Sequence, residues 1–120
     1  MPVLVVDQAT PESAAAFAAG LDEARRRSED VVVVALADGS GLTAESPEDV
    51  KVTHQVADER DRDPVGALLD VAAQLEPSVI VIGVKHRSPT GKLLFGSVAQ
   101  QILLEAHCPV LSVKAPRNQL

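Results

Sequence analysis

Residues 79–113 read VIVIGVKHRSPTGKLLFGSVAQQILLEAHCPVLSV, and the order of residue types in this stretch decides the fold. Val79 to Ile82 is a short, continuous, β-branched run that ends at Gly83, the pattern of a strand covered on both faces. A polar, basic loop follows. Val98, Ala99, Ile102, Leu103 and Ala106 then recur at helical spacing and trace a helix that opens near Gly96-Ser97. Pro109 breaks the chain, and Val110 to Val113 makes a second strand. Strand, helix and strand in that order form a parallel unit, because parallel neighbours need a crossover of a dozen or more residues.

Working towards the amino end, the same alternation repeats. Asp63-Pro64 is a cap followed by proline at a helix start, and Leu68, Leu69, Ala72 and Leu75 mark a buried stripe ended by Pro77. Val50, Val52, His54 and Val56 alternate as in a half-exposed edge strand. Val31 to Ala37 is a central buried strand. Asp38 through Pro47 is turn-rich, and about a dozen residues between these strands is near the minimum for a crossover. No helix of more than two turns is expected between Asp38 and Asp49. Further upstream, Thr10 is placed to cap a helix with Pro11 at its first position. That helix carries an apolar stripe of Ala14, Phe17, Ala18, Leu21 and Ala24, and closes on Arg25-Arg26-Arg27. Val3 to Val6 is the first strand. The sum is an α/β fold: one open parallel sheet of five strands with three main helices, over residues 1–114, with a C-terminal tail at 115–120.

Composition narrows the function. The chain has 120 residues, room for one domain. Its net charge of −6 argues against duplex nucleic acid, whose phosphates are held by clustered Lys and Arg. Phe17 and Phe95 are the only aromatic residues, so stacking platforms for single strands are lacking too. No apolar run is long enough to span a membrane, and the amino terminus lacks a signal-peptide pattern. One cysteine, Cys108, suits a reducing compartment, so the cytoplasm is expected. His54, His86 and His107 fall on different elements, and no metal set is expected.

The charge is unevenly spread. Residues 77–104 contain no Asp or Glu yet carry Lys85, Arg87 and Lys92, a local charge of +3 that leaves −9 on the rest. A basic loop at the carboxyl end of a strand, just before a helix amino terminus, is where anions bind in open α/β sheets; it is equally the composition of a solvated surface loop. Backbone N–H groups near Gly96 and Ser97 and the Ser97 hydroxyl would be the donors. Gly91-Lys92 is not a P-loop, since Leu93 follows and His86 stands where the first glycine is required. Asp7-Gln8-Ala9-Thr10 holds no glycine, which removes the dinucleotide fingerprint, and no nucleophile elbow or nucleophile–base pair is present.

The run from Ile82 to Val113 closely resembles the carboxyl-terminal signature of universal stress proteins. In that signature a strand-end glycine, a second glycine three residues on, and a Gly-Ser pair after nine more bind ATP. Gly83 and Gly96-Ser97 fit, Cys108-Pro109-Val110 is similar to the family's ending, and His86 stands at the second glycine. At the other end Asp7-Gln8-Ala9 replaces the family's Asp-Gly-Ser. The resemblance implies strand order 3-2-1-4-5, which sets Asp7 and Gly83 at the ends of adjacent strands. It further implies Asp7 as an adenosine contact, Leu36 as an apolar base contact, and a nucleotide site comprising Asp7, Leu36, Gly83, Lys85, His86, Arg87, Gly96, Ser97 and Val98. A helix usual between the family's second and third strands is missing from this sequence.

Two readings follow. In the first the chain is a regulatory module of the stress response that binds ATP or a related adenine nucleotide or anion and forms a homodimer through the Val110–Val113 strand. In the second it keeps the fold and the dimer but not the nucleotide. Neither reading makes it an enzyme; the resemblance implies at most slow ATP hydrolysis. His86 divides the readings: its Cβ crowds a phosphate, while its ring offers a charged hydrogen bond.

Overall fold

The computed structural model of the protein describes residues 1–8, 10–36, 46–57, 63–84 and 96–114. The elements run β1 (Val3–Asp7), α1 (Pro11–Arg27), β2 (Val31–Ala35), β3 (Val52–Val56), α2 (Pro64–Leu75), β4 (Val79–Val84), α3 (Ser97–Glu105) and β5 (Val110–Lys114). Five strands make one sheet in the order β3-β2-β1-β4-β5, and every pairing is parallel. This is the expected architecture and strand order. Among the described residues between β2 and β3, 46–50 form a turn without helix, while 37–45 lie outside the described residues, as does the tail expected at 115–120.

β1, β2 and β4 are buried along their whole length, so their side chains divide by parity between two cores. Leu4, Val6, Val32, Val34, Ile80 and Ile82 face Leu68 of α2 and Ile102 of α3. Val3, Val5, Val31, Val33, Val79 and Val81 face Ala16, Phe17 and Ala24 of α1. The helix division follows from topology. α1 links strands on one side of β1, α2 and α3 move the chain to the other side, and right-handed crossovers then place them on opposite faces.

The stripe on α1 differs from the one expected. Ser13, Ala16, Phe17, Gly20 and Ala24 are buried, whereas Ala14 and Ala18 are exposed. Beside Phe17, the helix presses its small residues against the sheet, polar or not. A Cβ at Gly20 would strike Val5, and the Ser13 hydroxyl accepts the Gln8 N–H at 3.0 Å. Close approach selects size here, and hydropathy reads only polarity.

The caps also differ from each other. The Asp63 carboxylate accepts the Gly66 N–H at 2.8 Å, as expected. Thr10 sits at the α1 N-cap without a side-chain bond to the helix backbone, because its hydroxyl lies 3.4 Å from the Ser13 hydroxyl instead. At the other end of α1, Arg25 binds Asp49 at 2.7 Å and so ties the helix to the turn before β3. This hydrogen bond holds the Asp49 carboxyl below its ordinary range. Both groups are exposed, so the pair contributes little; what it contributes is present at neutral pH and fades as pH falls through the lowered carboxyl value.

On α3, Ala99 and Ile102 are buried and Val98 and Ala106 pack half-buried on the same core, but Leu103 is 41% and Leu104 82% exposed, so Leu103 alone drops out of the expected stripe. β3 is more exposed than expected of a half-buried edge: Thr53, His54, Gln55 and Val56 are all exposed. α1 packs chiefly over β1, β4 and β5, and only Val52 of β3 packs against the core on its side.

The caps give a direct test in urea unfolding. Asp63→Ala should cost about 1 kcal/mol, the usual value of a capping side chain, and Thr10→Ala clearly less. Equal costs would contradict the cap assignment.

Candidate functional site

β1 is the turning point of the sheet. The chain leaves it towards β2 on one side and later returns to β4 on the other. The crevice outside the carboxyl ends of two such strands is where ligands sit in open α/β folds. Asp7 closes β1 there and is 1% exposed. Its carbonyl accepts the Leu36 N–H at 3.0 Å, which fixes Leu36, itself buried, beside the end of β1. Asp7 and Leu36 are therefore brought together as the sequence led us to expect.

Gly83 lies inside β4, which continues to Val84, one step beyond the expected strand end. Its missing Cβ is filled by α1: an added methyl would lie 2.6 Å from the Glu12 carbonyl carbon and 2.7 Å from the Glu12 Cβ. Real Cβ contacts do not come that close, and the obstacle is backbone, which cannot swing aside. Gly83 thus lets the first turn of α1 rest on β4. Its carbonyl accepts the Gln8 side-chain amide at 3.3 Å. Gln8 leaves the end of β1, ties its own N–H to Ser13 in α1 and its side chain to β4. It spans the crevice at the switch point. Sequence reasoning passed over Gln8 and Ser13; the available signal was a polar residue standing directly after a buried strand.

α3 brings the remaining described residues to the same end of the sheet. Its carboxyl end leads through Pro109, whose carbonyl accepts the Ile80 N–H at 2.9 Å near the start of β4. The helix runs antiparallel to the strands, so Gly96 and Ser97 lie towards the strands' carboxyl ends. Gly96 is the N-cap residue in extended backbone, with φ −63°, and a Cβ there would meet nothing within 4 Å. Its backbone conformation does not demand glycine, nor does packing among the described residues. Ser97 is exposed and Val98 half-buried, the latter against the core beneath α2 and α3. The first turn holds no acidic residue and, among the described residues, no capping side chain, an arrangement that suits an anion at its N–H groups and positive dipole end. Lys85, His86 and Arg87 lie outside the described residues.

Two grooves lie at the opposite, amino end of the sheet. One, of about 690 Å³, runs between α2 and α3 past Glu76, Ile80, Glu105 and Cys108; the other lies beside Met1, Asp30 and Lys51. The Cys108 thiol in the first is pushed up by burial, which keeps it protonated and unreactive. No group of His, Cys, Asp and Glu among the described residues is arranged to hold a metal.

Substituting Gly83 tests its structural part without any ligand. Gly83→Ala should destabilise the protein by about 1–3 kcal/mol, the cost of overpacking a rigid contact, read from thermal or urea melts. An unchanged melting curve would contradict the helix-on-strand contact.

Comparison with known proteins agrees with this geometry. Residues 42–114 match the universal stress protein family. A universal stress protein of Mycolicibacterium smegmatis is 37% identical, over 93% of this chain and 96% of its own length. A universal stress protein structure from Archaeoglobus fulgidus superposes with a TM-score of 0.75 at 30% identity, covering 95% of this chain and 98% of that one. The Archaeoglobus fulgidus protein in complex with dAMP superposes at 0.69 with 25% identity, over 95% and 98% of the two chains. With its strand order, switch-point crevice and sequence in agreement, the chain belongs to the universal stress protein family.

Proposed function

We propose that this protein is a regulatory module that binds an adenine nucleotide, ATP in the first instance, at the carboxyl end of its sheet. The observation that carries the reading is the start of α3. Among the described residues nothing requires Gly96 to be glycine, and it opens a helix whose first turn has no acid and no side-chain cap there. A glycine that packing does not require leaves room for a ligand's phosphates to meet the backbone directly. In this reading the phosphates lie on the N–H groups of Ser97 and Val98 and on the Ser97 hydroxyl. Lys85, His86 and Arg87 supply charge, and the adenosine lies by Asp7 and Leu36. Gly83 serves by admitting α1. The dAMP complex of the Archaeoglobus relative supports the ligand class. We assign the site binding rather than catalysis, in keeping with the lack of a nucleophile–base pair among the described residues. No helix among the described residues is long and apolar enough to cross a membrane, and we assign the protein to the cytoplasm.

The module is proposed to act as a homodimer joined along β5. That strand is the last in the sheet, with Val110, Leu111 and Val113 only half-buried. An apolar strand with an open hydrogen-bonding edge invites a partner, and a two-fold pairing closes it.

A second reading rests on Gln8. Its amide lies on the Gly83 carbonyl, across the crevice an adenosine would enter. If that bond holds in solution, the protein has kept the dimer and closed the site.

Calorimetry with ATP separates the two. The first reading expects binding that weakens with salt, since the loop cations act through screened charge. Ser97→Ala should then lower affinity by roughly 1 kcal/mol, one lost hydrogen bond. Gln8→Gly should raise affinity by opening the crevice. Failure of wild type, His86→Gly and Gln8→Gly alike at millimolar ATP would end the nucleotide proposal. For the dimer, light scattering should give twice the chain mass, and Val113→Lys should give the monomer mass; a wild-type monomer at tens of micromolar would contradict it.

A further inference from the structure

Among the described residues nothing pairs with the opposite edge of the sheet. β3 is the first strand in the spatial order, and Thr53, His54, Gln55 and Val56 are exposed. The hydrogen bonds to β2 fix which backbone groups remain. The Lys51 carbonyl accepts the Val31 N–H, and the Ala57 N–H donates to Ala35. Backbone direction alternates along a strand, so residues 51, 53, 55 and 57 turn their groups towards β2. Val52, His54 and Val56 turn theirs away, to the open side. Their side chains share the α1 face of the sheet, in register with Val31, Val33 and Ala35; Val52 is half-buried against the core on that face, while His54 and Val56 are exposed.

These outward residues are symmetric about His54, and so is the side-chain pattern: Val52-Thr53-His54-Gln55-Val56. A second copy laid antiparallel with the two-fold axis at His54 would set Val52 against the partner's Val56 and His54 against the partner's His54. Thr53 would face the partner's Gln55 on the other side of the sheet. All outward N–H and C=O groups then fall in hydrogen-bonded pairs, each exchanging two bonds. Valine meets valine and hydroxyl meets amide, both favourable cross-strand pairs. No register displaced from His54 pairs as many. The devices that ordinarily blunt such an edge are absent: the strand has no proline and no charged residue.

We propose that β3 is a self-association edge, whose partner is a second copy of this chain paired antiparallel about His54. It is distinct from the β5 edge, and does not depend on nucleotide binding. Where both edges are paired, dimers join into larger assemblies whose sheets are continuous. A five-residue edge is well below the area of a standard interface, so the association is weak and concentration-driven.

Amide hydrogen exchange tests this residue by residue, in wild type and in Val113→Lys, which blocks β5. The N–H groups of Thr53 and Gln55 are bonded to β2 and should be protected at every concentration. Those of Val52, His54 and Val56 should exchange freely when dilute and slow several-fold as concentration approaches about 1 mM, the affinity range of so small an interface. His54→Pro should abolish the concentration dependence while the fold stays intact, because the lost N–H faces outward and edge strands tolerate proline there. Val56→Lys should do the same by charge. Exchange at Val52, His54 and Val56 that ignores concentration in both backgrounds would overturn the proposal. So would protection that survives His54→Pro and Val56→Lys unchanged.

Discussion

The seating of the first turn of α1 on Gly83 is the contact from which the rest of the site follows. Because the Glu12 backbone occupies the space a Cβ would fill, α1 approaches β4 closely enough for Ser13 to be buried and to accept the Gln8 N–H. That in turn aims the Gln8 amide at the Gly83 carbonyl. One missing side chain therefore fixes how β1, α1 and β4 meet at the switch point, and with it the shape of the crevice. The two glycines of the signature act differently. Gly83 is demanded by packing, whereas a Cβ at Gly96 would meet nothing among the described residues.

The covering of the sheet is uneven for a related reason. α1 packs over β1, β4 and β5, and α2 and α3 cover the other face. With a turn in place of a helix in the described residues before β3, that strand hangs beyond the helical layers. Val52 keeps a half-buried place against the α1-side core, but Val56 is 54% exposed. The outer edges at β3 and β5, unpaired among the described residues, differ in kind. β5 is half-buried and apolar, β3 exposed and symmetric in sequence about its centre.

Much of this was legible in the sequence. Strand order came with the family resemblance, and the strands themselves came from continuous β-branched runs, which leave little ambiguity when bounded by Gly, Pro and acidic turns. Asp7 and Leu36 fell together because both end central parallel strands. What escaped was set by distance rather than polarity. The buried face of α1 was misjudged by about one position, because Ser13 and Gly20 are inside for their size. Thr10 heads α1 as its composition suggests, yet Ser13 takes its hydroxyl. Gln8 attracts no attention in a sequence, because a crossing hydrogen bond to Gly83, 75 residues away, exists only after β1 and β4 are paired.

The central claim is that an adenine nucleotide occupies the crevice between β1 and the start of α3. Titrating ATP into isotope-labelled protein and following its backbone amide resonances tests it most directly. The account predicts that Ser97, Val98 and Ala99 shift most, as phosphate oxygens meet the first turn of α3, with Asp7, Gln8 and Leu36 shifting alongside them. Shifts confined to the groove lined by Glu76, Glu105 and Cys108 at the opposite end of the sheet, or no shifts at millimolar ATP, would contradict it.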